Sequence, residues 1–216
     1  MNFQALEMTG IWQPSAQGTS GPLMVVLHGR GDSAEGFEWL KDALELPQMS
    51  YLLLNAPDEY YTGYSWYDLP PNQLPGIERS RQKLQKVFTE VLEQGYLCEQ
   101  IFLFGFSQGC LMTLEFGGRF EKRLAGYIGI SGYCFDPQAL LEEASSEARS
   151  GDWLVTHGKQ DDVLPVERTR SQINYLVAGG FPIDYQEFTK SHTIDDHLEL
   201  RLIRDWLSHR VNEFEV

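Results

Sequence analysis

The sequence predicts an α/β protein with a mainly parallel central sheet and helices on both faces. Two observations predict it. Short apolar runs alternate with segments whose apolar residues recur at three- and four-residue steps, the pattern of successive βαβ units. No Gly/Ser linker, charge block or internal repeat divides the 216 residues. Residues 1–216 are therefore expected to form a single domain, given a usual size of about 100–200 residues and longer α/β exceptions.

The elements follow in order. Ala5 to Trp12 is a candidate edge strand. Leu23 to Leu27 is unbroken apolar sequence and reads as a buried strand ending at His28. Phe37 to Leu46 has the pattern of a short helix. Tyr51 to Leu54 is a second strand. Between Gly76 and Gly95, Ile77, Leu84, Val87, Phe88, Val91 and Leu92 fall on one helical face, and Gly95 stops the helix. Ile101 to Phe104 is a strand and Cys110 to Phe120 a helix. Leu124 to Ile130 and Trp153 to Thr156 are strands, with Ala144 to Gly151 a polar surface connection before the latter. Pro165 to Ala178 is a helix closed by Gly179 and Gly180. Ile183 to Phe188 is the last strand and Asp195 to His209 the last helix.

One stretch breaks the alternation. Asp58 to Pro75 holds Pro70, Pro71 and Pro75 with Tyr60, Tyr61, Tyr64, Trp66 and Tyr67. Its aromatics argue against disorder, and a long irregular loop is usually functional. It leaves the C-terminal end of a strand, the edge where α/β proteins bind ligands. It is expected to form one wall of a substrate site.

Composition excludes several classes. With 17 Lys and Arg against 31 Asp and Glu, the net charge is −14, which argues against nucleic acid and anionic membrane partners. Cys98, Cys110 and Cys134 form no C-x-x-C pair, so neither a disulfide scaffold nor a zinc site is expected. Met1 to Thr9 lacks the basic and apolar regions of a signal peptide. No apolar run approaches the roughly 20 residues that span a bilayer. A cytoplasmic protein without stable membrane insertion, metal or cofactor is the expectation; oligomeric state is not legible.

The most informative stretch is Gly105-Phe106-Ser107-Gln108-Gly109. A G-x-S-x-G motif has meaning when a strand precedes it and a helix follows, as here. The turn strains Ser107 and exposes its hydroxyl. The helix that starts there offers free N–H groups and a positive dipole end. A serine needs a base and a group to orient it. In this arrangement they come later in the chain, the acid before the histidine. Asp161 and Asp162 both follow the strand at Trp153 and are the candidate acids. Of five histidines, His192 follows a strand and precedes the final helix, where a base belongs. His28 and His157 also end strands, but one comes too early and the other lies beside the acid. His197 and His209 fall on the last helix. The backbone N–H groups of Gln108 and Arg30 are candidate oxyanion donors, the latter in the glycine-bearing loop His28-Gly29-Arg30-Gly31-Asp32.

These blocks resemble the carboxylesterase/phospholipase branch of the α/β-hydrolase fold, which includes acyl-protein thioesterases and small bacterial carboxylesterases. The matches are Leu27 to Ser33, Gly105 to Gly109, His157-Gly158-x-x-Asp161-x-Val163-Leu164-Pro165, the segment around His192, and the shorter Trp66-Tyr67-Asp68. The resemblance implies Asp161 rather than Asp162, since the family's catalytic aspartate stands four residues before that proline. It supports Ser107 as nucleophile, His192 as base, and the N–H groups of Arg30 and Gln108 as the oxyanion hole; Trp66 and Tyr67 of the aromatic stretch, with Gly29 and Arg30, are the expected substrate contacts. The implied activity is hydrolysis of small carboxylic esters with an apolar acyl or aryl group, extending to thioesters or lysophospholipids. Two positions depart from the pattern: Ser191 stands where the family has Gly, and Arg30 where it usually has Leu. They motivate the alternative of a catalytically silent binding protein.

Overall fold

The computed structural model describes residues 7–211. In chain order the elements are β1 (Gly10–Gln13), β2 (Leu23–Leu27), α1 (Leu40–Leu44), β3 (Ser50–Leu54), β4 (Asp58–Tyr60), β5 (Gly63–Ser65), α2 (Gln73–Glu93), β6 (Ile101–Phe106), α3 (Gln108–Gly117), β7 (Gly126–Ile130), α4 (Pro137–Glu143), α5 (Ser146–Ser150), β8 (Trp153–Gly158), α6 (Val166–Ala178), β9 (Ile183–Phe188) and α7 (Leu198–Val211). Seven strands form the main sheet in the order β1-β3-β2-β6-β7-β8-β9. β1 runs antiparallel at the edge, and every other pair is parallel. This is the architecture read from the alternation of apolar runs and helical patterns.

Period-2 alternation sorts the strand residues into two apolar layers. Leu23, Val25 and Leu27 of β2 join Ile101 and Leu103 of β6 in a layer with Ile77, Leu84 and Phe88 of α2, Leu111 and Leu114 of α3, and Ile173 of α6. Met24 and Val26 join Phe102 and Phe104 in a second layer with Leu40 and Leu44 of α1 and Leu200, Ile203, Trp206 and Leu207 of α7. Burial on both faces explains why the runs are apolar throughout. Parallel pairing puts the C-terminal ends of β2, β6, β7, β8 and β9 along one edge. The chain leaves that edge at His28, Ser107, Ser131, Lys159 and Lys190, or within a residue or two.

Several boundaries differ from expectation. The expected helix from Phe37 to Leu46 is a 3-10 turn at Glu35–Phe37 followed by the five residues of α1. Glu45 takes φ 52°, and Pro47 disfavours a helical Leu46, so the helix stops early. The stretch from Asp58 to Pro75 is not irregular. β4 and β5 pair as an antiparallel hairpin with Tyr60 opposite Gly63. α2 begins at Gln73, and Pro75 sits in its first turn, where a missing N–H removes no helical bond. The connection from Ala144 to Gly151 contains α5, capped by Ser145 Oγ accepting the Ala148 N–H at 3.0 Å. α4 was not foreseen, although Asp136 and Pro137 are an N-cap and first-turn pair: Asp136 Oδ1 accepts the N–H groups of Gln138 and Ala139 at 3.0 Å. α3 starts two residues earlier than expected, directly after Ser107. α7 starts later, because the Asp195 carboxylate caps it by accepting from His197, Leu198 and Glu199. His197 therefore precedes the helix. The expected first strand narrows to β1; Ala5 and Leu6 lie outside the described residues.

Trp153 anchors the first layer where β8 enters the sheet. Its ring stacks on Tyr127 with centroids 3.8 Å apart and meets Phe181 edge-on. Its indole N–H donates to Ala148 O at 2.8 Å. Trp153→Ala should lower unfolding free energy by about 3–5 kcal/mol, read as a shift of the urea midpoint at unchanged slope. A loss under about 1 kcal/mol would mean that the site refills, against a close-packed layer.

Candidate active site

A steric constraint creates the serine turn. A Cβ on Gly105 would lie 2.1 Å from Gly109 O, and one on Gly109 would lie 2.0 Å from Leu27 O. Only glycine lets α3 approach β6 and β2 this closely. The residue between strand and helix takes up the bend: Ser107 has φ 55° and ψ −112°, uncommon for a non-glycine and a form of local strain. Its N–H donates to Ile130 O at 2.9 Å, tying the turn to the end of β7.

Two loops from the same edge meet the hydroxyl. His192 Nε2 lies 2.9 Å from Ser107 Oγ, and His192 Nδ1 lies 2.7 Å from Asp161 Oδ2. A carboxylate only accepts, so Nδ1 carries the proton and the Nε2 lone pair faces the serine O–H. In that tautomer the imidazole can take the serine's proton, and the carboxylate can stabilise the imidazolium. Asp161 is held from its other side: Oδ1 accepts the N–H groups of Val163 at 3.0 Å and Leu164 at 2.7 Å. Asp161 is buried and Asp162 is exposed. The Phe106 ring packs on His192 with centroids 5.2 Å apart.

The loop after β2 lies against the serine. A Cβ on Gly29 would sit 3.4 Å from Ser107 Cβ. The loop is held by the hairpin: Gly31 N–H donates to Tyr64 O and Tyr64 N–H donates to Asp32 O, both at 2.8 Å. Gln108 is the first residue of α3, so its N–H has no intrahelical acceptor. Its side chain fastens the second half of the aromatic stretch. Oε1 accepts from Trp66 N–H at 3.0 Å and Ser65 Oγ at 3.2 Å, and Nε2 donates to Tyr67 O at 2.8 Å.

Trp66 and Tyr67 lie beneath the site rather than on its wall. Both are buried, and the Trp66 indole N–H donates to His28 O at 2.9 Å. Arg30 is half-buried, with its guanidinium 4.1 Å over the Tyr60 ring. Ser191 is exposed, and His192 keeps both of its side-chain bonds beside it. His197 and His209 are exposed on the far end of the chain. Sequence reasoning missed Phe106, the Gln108 side chain, and a buried Lys190–Glu199 pair with Nζ 2.7 Å from the carboxylate. The G-x-S-x-G spacing flags the first two positions; no local pattern flags the third.

The profile of a family described as phospholipase/carboxylesterase matches residues 13–210. Acyl-protein thioesterase 1 of Schizosaccharomyces pombe is 28% identical over 167 residues, covering 71% of this chain and 75% of that one. Carboxylesterase SOBER1 of Arabidopsis thaliana is 24% identical over 203 residues, covering 86% and 89%. Among solved structures, esterase PE8 superposes with a TM-score of 0.83 at 26% identity, covering 94% of this chain and 98% of that one. The Bacillus cereus carboxylesterase shares the fold at a TM-score of 0.82 and 14% identity, covering 96% of each chain.

Two further histidines flank the site as neutral structural groups. His28 Nδ1–H donates to Gly29 O at 2.6 Å, and its Nε2 accepts the Ala56 N–H at 3.0 Å. His157 Nε2–H donates to Leu164 O at 2.8 Å. Burial holds both below the ordinary value of 6.5, with their carbonyl bonds opposing the shift. A histidine depressed in the folded state binds its proton first in the unfolded chain, so stability is lost as pH falls below the unfolded value. Unfolding free energy should fall as the pH drops below about 6.5, by at most about 1.4 kcal/mol per pH unit for each histidine. Urea titrations across that window check this; a flat profile is the opposing result.

Proposed function

The chain belongs to the phospholipase/carboxylesterase family and is a carboxylic ester hydrolase, and from that premise we propose that it cleaves esters and thioesters by two-step acyl transfer at Ser107. The observation that carries the reading is the unbroken hydrogen-bond line from Asp161 through His192 to Ser107 at the end of β6. Ser107 Oγ attacks the carbonyl carbon while its proton passes to His192 Nε2. The negative charge that builds on the carbonyl oxygen is met by the N–H groups of Arg30 and Gln108, each worth about 3–4 kcal/mol in such sites. The bond to the leaving group breaks, and His192 returns the proton to the departing oxygen or sulfur. Water then repeats the sequence on the acyl-enzyme, with His192 as base.

The substrate in this reading is a small ester or thioester with an apolar acyl or aryl group, lysophospholipids included. Tyr60 and Tyr61 of the hairpin stand beside the donor loop, and Tyr61 is 91% exposed. Gly29 and Arg30 are the substrate-facing positions. Trp66 and Tyr67 act from below, by fixing His28 O and Gln108. The name of the yeast relative, acyl-protein thioesterase 1, supports including thioesters. A cytoplasmic location is part of the same proposal. Among the described residues, no helix is long and apolar enough to cross a membrane.

The two departures from the family pattern leave the hydrogen-bond line intact, which favours the enzyme over a silent binding protein. The test is turnover of p-nitrophenyl butyrate and its thioester, with an active-site phosphonate probe. Ser107→Ala should lower kcat by on the order of 10⁶ and abolish labelling. Asp161→Asn should lower kcat by on the order of 10⁴ through the wrong tautomer. Labelling that persists in Ser107→Ala, or full activity in Asp161→Asn, rules the assignment out. A series of acyl lengths then sets the pocket's size.

A further inference from the structure

Lys190 stands two residues before His192 and is only 5% exposed, an uncommon position for a lysine. Its ammonium protons all find acceptors. Nζ lies 2.6 Å from Thr193 O, 3.1 Å from Ser131 Oγ and 2.7 Å from each oxygen of Glu199. Glu199 is fully buried in the first turn of α7, where it also accepts the Asp195 N–H at 2.8 Å.

Each contact reaches a different part of the site. Thr193 follows His192 directly. Ser131 follows Ile130, whose carbonyl accepts the Ser107 N–H. Ser131 itself takes φ 49°, and its N–H donates to Thr156 O of β8 at 2.9 Å. That strand leads to Asp161. On the backbone side, Lys190 O accepts the Gln160 N–H at 3.1 Å, one residue before Asp161. A Cβ on Gly158 would come within 2.4 Å of the same oxygen. One residue thus touches the segments that carry the histidine and the aspartate, and the end of β7 whose Ile130 carbonyl accepts the Ser107 N–H.

Stability alone does not explain this arrangement. Taking an ammonium and a carboxylate out of water offsets most of their attraction, and apolar residues of similar size often serve a fold as well. Burial pulls Lys190 below its ordinary value while Glu199 opposes the shift. What apolar residues lack is direction. Charge-assisted bonds have preferred lengths and angles, and the connection between β9 and α7 has no ladder of its own to set its shape.

We propose that Lys190 is a positioning residue for ester hydrolysis: with Glu199 and Ser131 it fixes the 189–194 loop so that His192 faces Ser107 on one side and Asp161 on the other. The inference rests on the reading that Ser107 and His192 carry the reaction. Displacements of about 1 Å in a catalytic group can lower turnover by ~10²-fold, so the loop's placement should show in kcat.

The test compares the parent with Lys190→Met and with Lys190→Met/Glu199→Met. The single variant leaves a buried carboxylate unpaired and should melt at a lower temperature. The double variant removes both charges and should recover most of that loss. Turnover should not recover with it. In both variants kcat on p-nitrophenyl butyrate should fall by on the order of 10–100-fold with KM within about twofold. A second readout needs no turnover: the low-field proton resonance of His192 Nδ1–H, identified by its absence in His192→Gln, should shift or broaden in the double variant. If the double variant regains both melting temperature and kcat and keeps the parent resonance, Lys190 is structural filler and the proposal is overturned. If the parent turns over no ester but the resonance responds, the reading of the reaction fails and the placement of His192 by Lys190 stands. If the single variant does not fold, the double variant decides alone.

Discussion

The architecture around the serine depends on a crossing where no side chain fits. α3 passes so close to β2 and β6 that Gly105 and Gly109 have backbone oxygens where their Cβ atoms would be. Packing of that kind is all-or-nothing, because a close-packed interior has little room to give. The chain must reverse within one residue, and Ser107 absorbs the reversal in a left-handed conformation. Strain at that point is held by bonds on both sides: its N–H to β7 and the first turn of α3 beyond it. The hydroxyl is left at the rim of the sheet with no competing backbone role.

Parallel topology does the rest of the assembly. Each parallel strand of the central sheet delivers its following loop to the same edge, so residues 107, 161 and 192 meet although more than fifty positions separate the first two. The environment then sorts the ionisable groups by role. His28 and His157 are buried with carbonyl acceptors and stay neutral supports. His192 is only partly buried and lies between an acceptor-only carboxylate and a hydroxyl. Similar side chains thus do different work because their surroundings differ.

Much of this was legible before any coordinates. Strands buried on both faces announce themselves as unbroken apolar runs, and α2 by its stripe from Ile77 to Leu92. Ser107 and His192 were legible because strand, turn and helix stood in the right order around them. Asp161 and Asp162 were equivalent by local pattern, and the family resemblance separated them. In the structure one carboxyl turns inward to two backbone N–H groups and the other faces solvent. The hairpin at residues 58–65 was hidden by its composition: three-residue strands carry too few positions for a period, and Tyr64 pairs with Gly31 and Asp32, some thirty residues away. Lys190 and Glu199 were hidden for a related reason. Their pairing crosses a loop, and a lysine beside a histidine reads as surface until the fold closes over it.

The hairpin's attachment has a further meaning for how such a protein can diversify. Backbone hydrogen bonds join Tyr64 of β5 to Gly31 and Asp32 of the loop after β2, and the seam demands glycine at 63, where a Cβ would lie 2.3 Å from Gly31 O. Tyr60 packs under the Arg30 guanidinium, whereas Tyr61, 91% exposed, hangs free at the tip, where exchange or lengthening leaves that packing alone. In the proposed reading, selectivity and rate would therefore reside in separable parts of one scaffold, with new acyl preferences reached by editing the tip rather than the machinery beneath it.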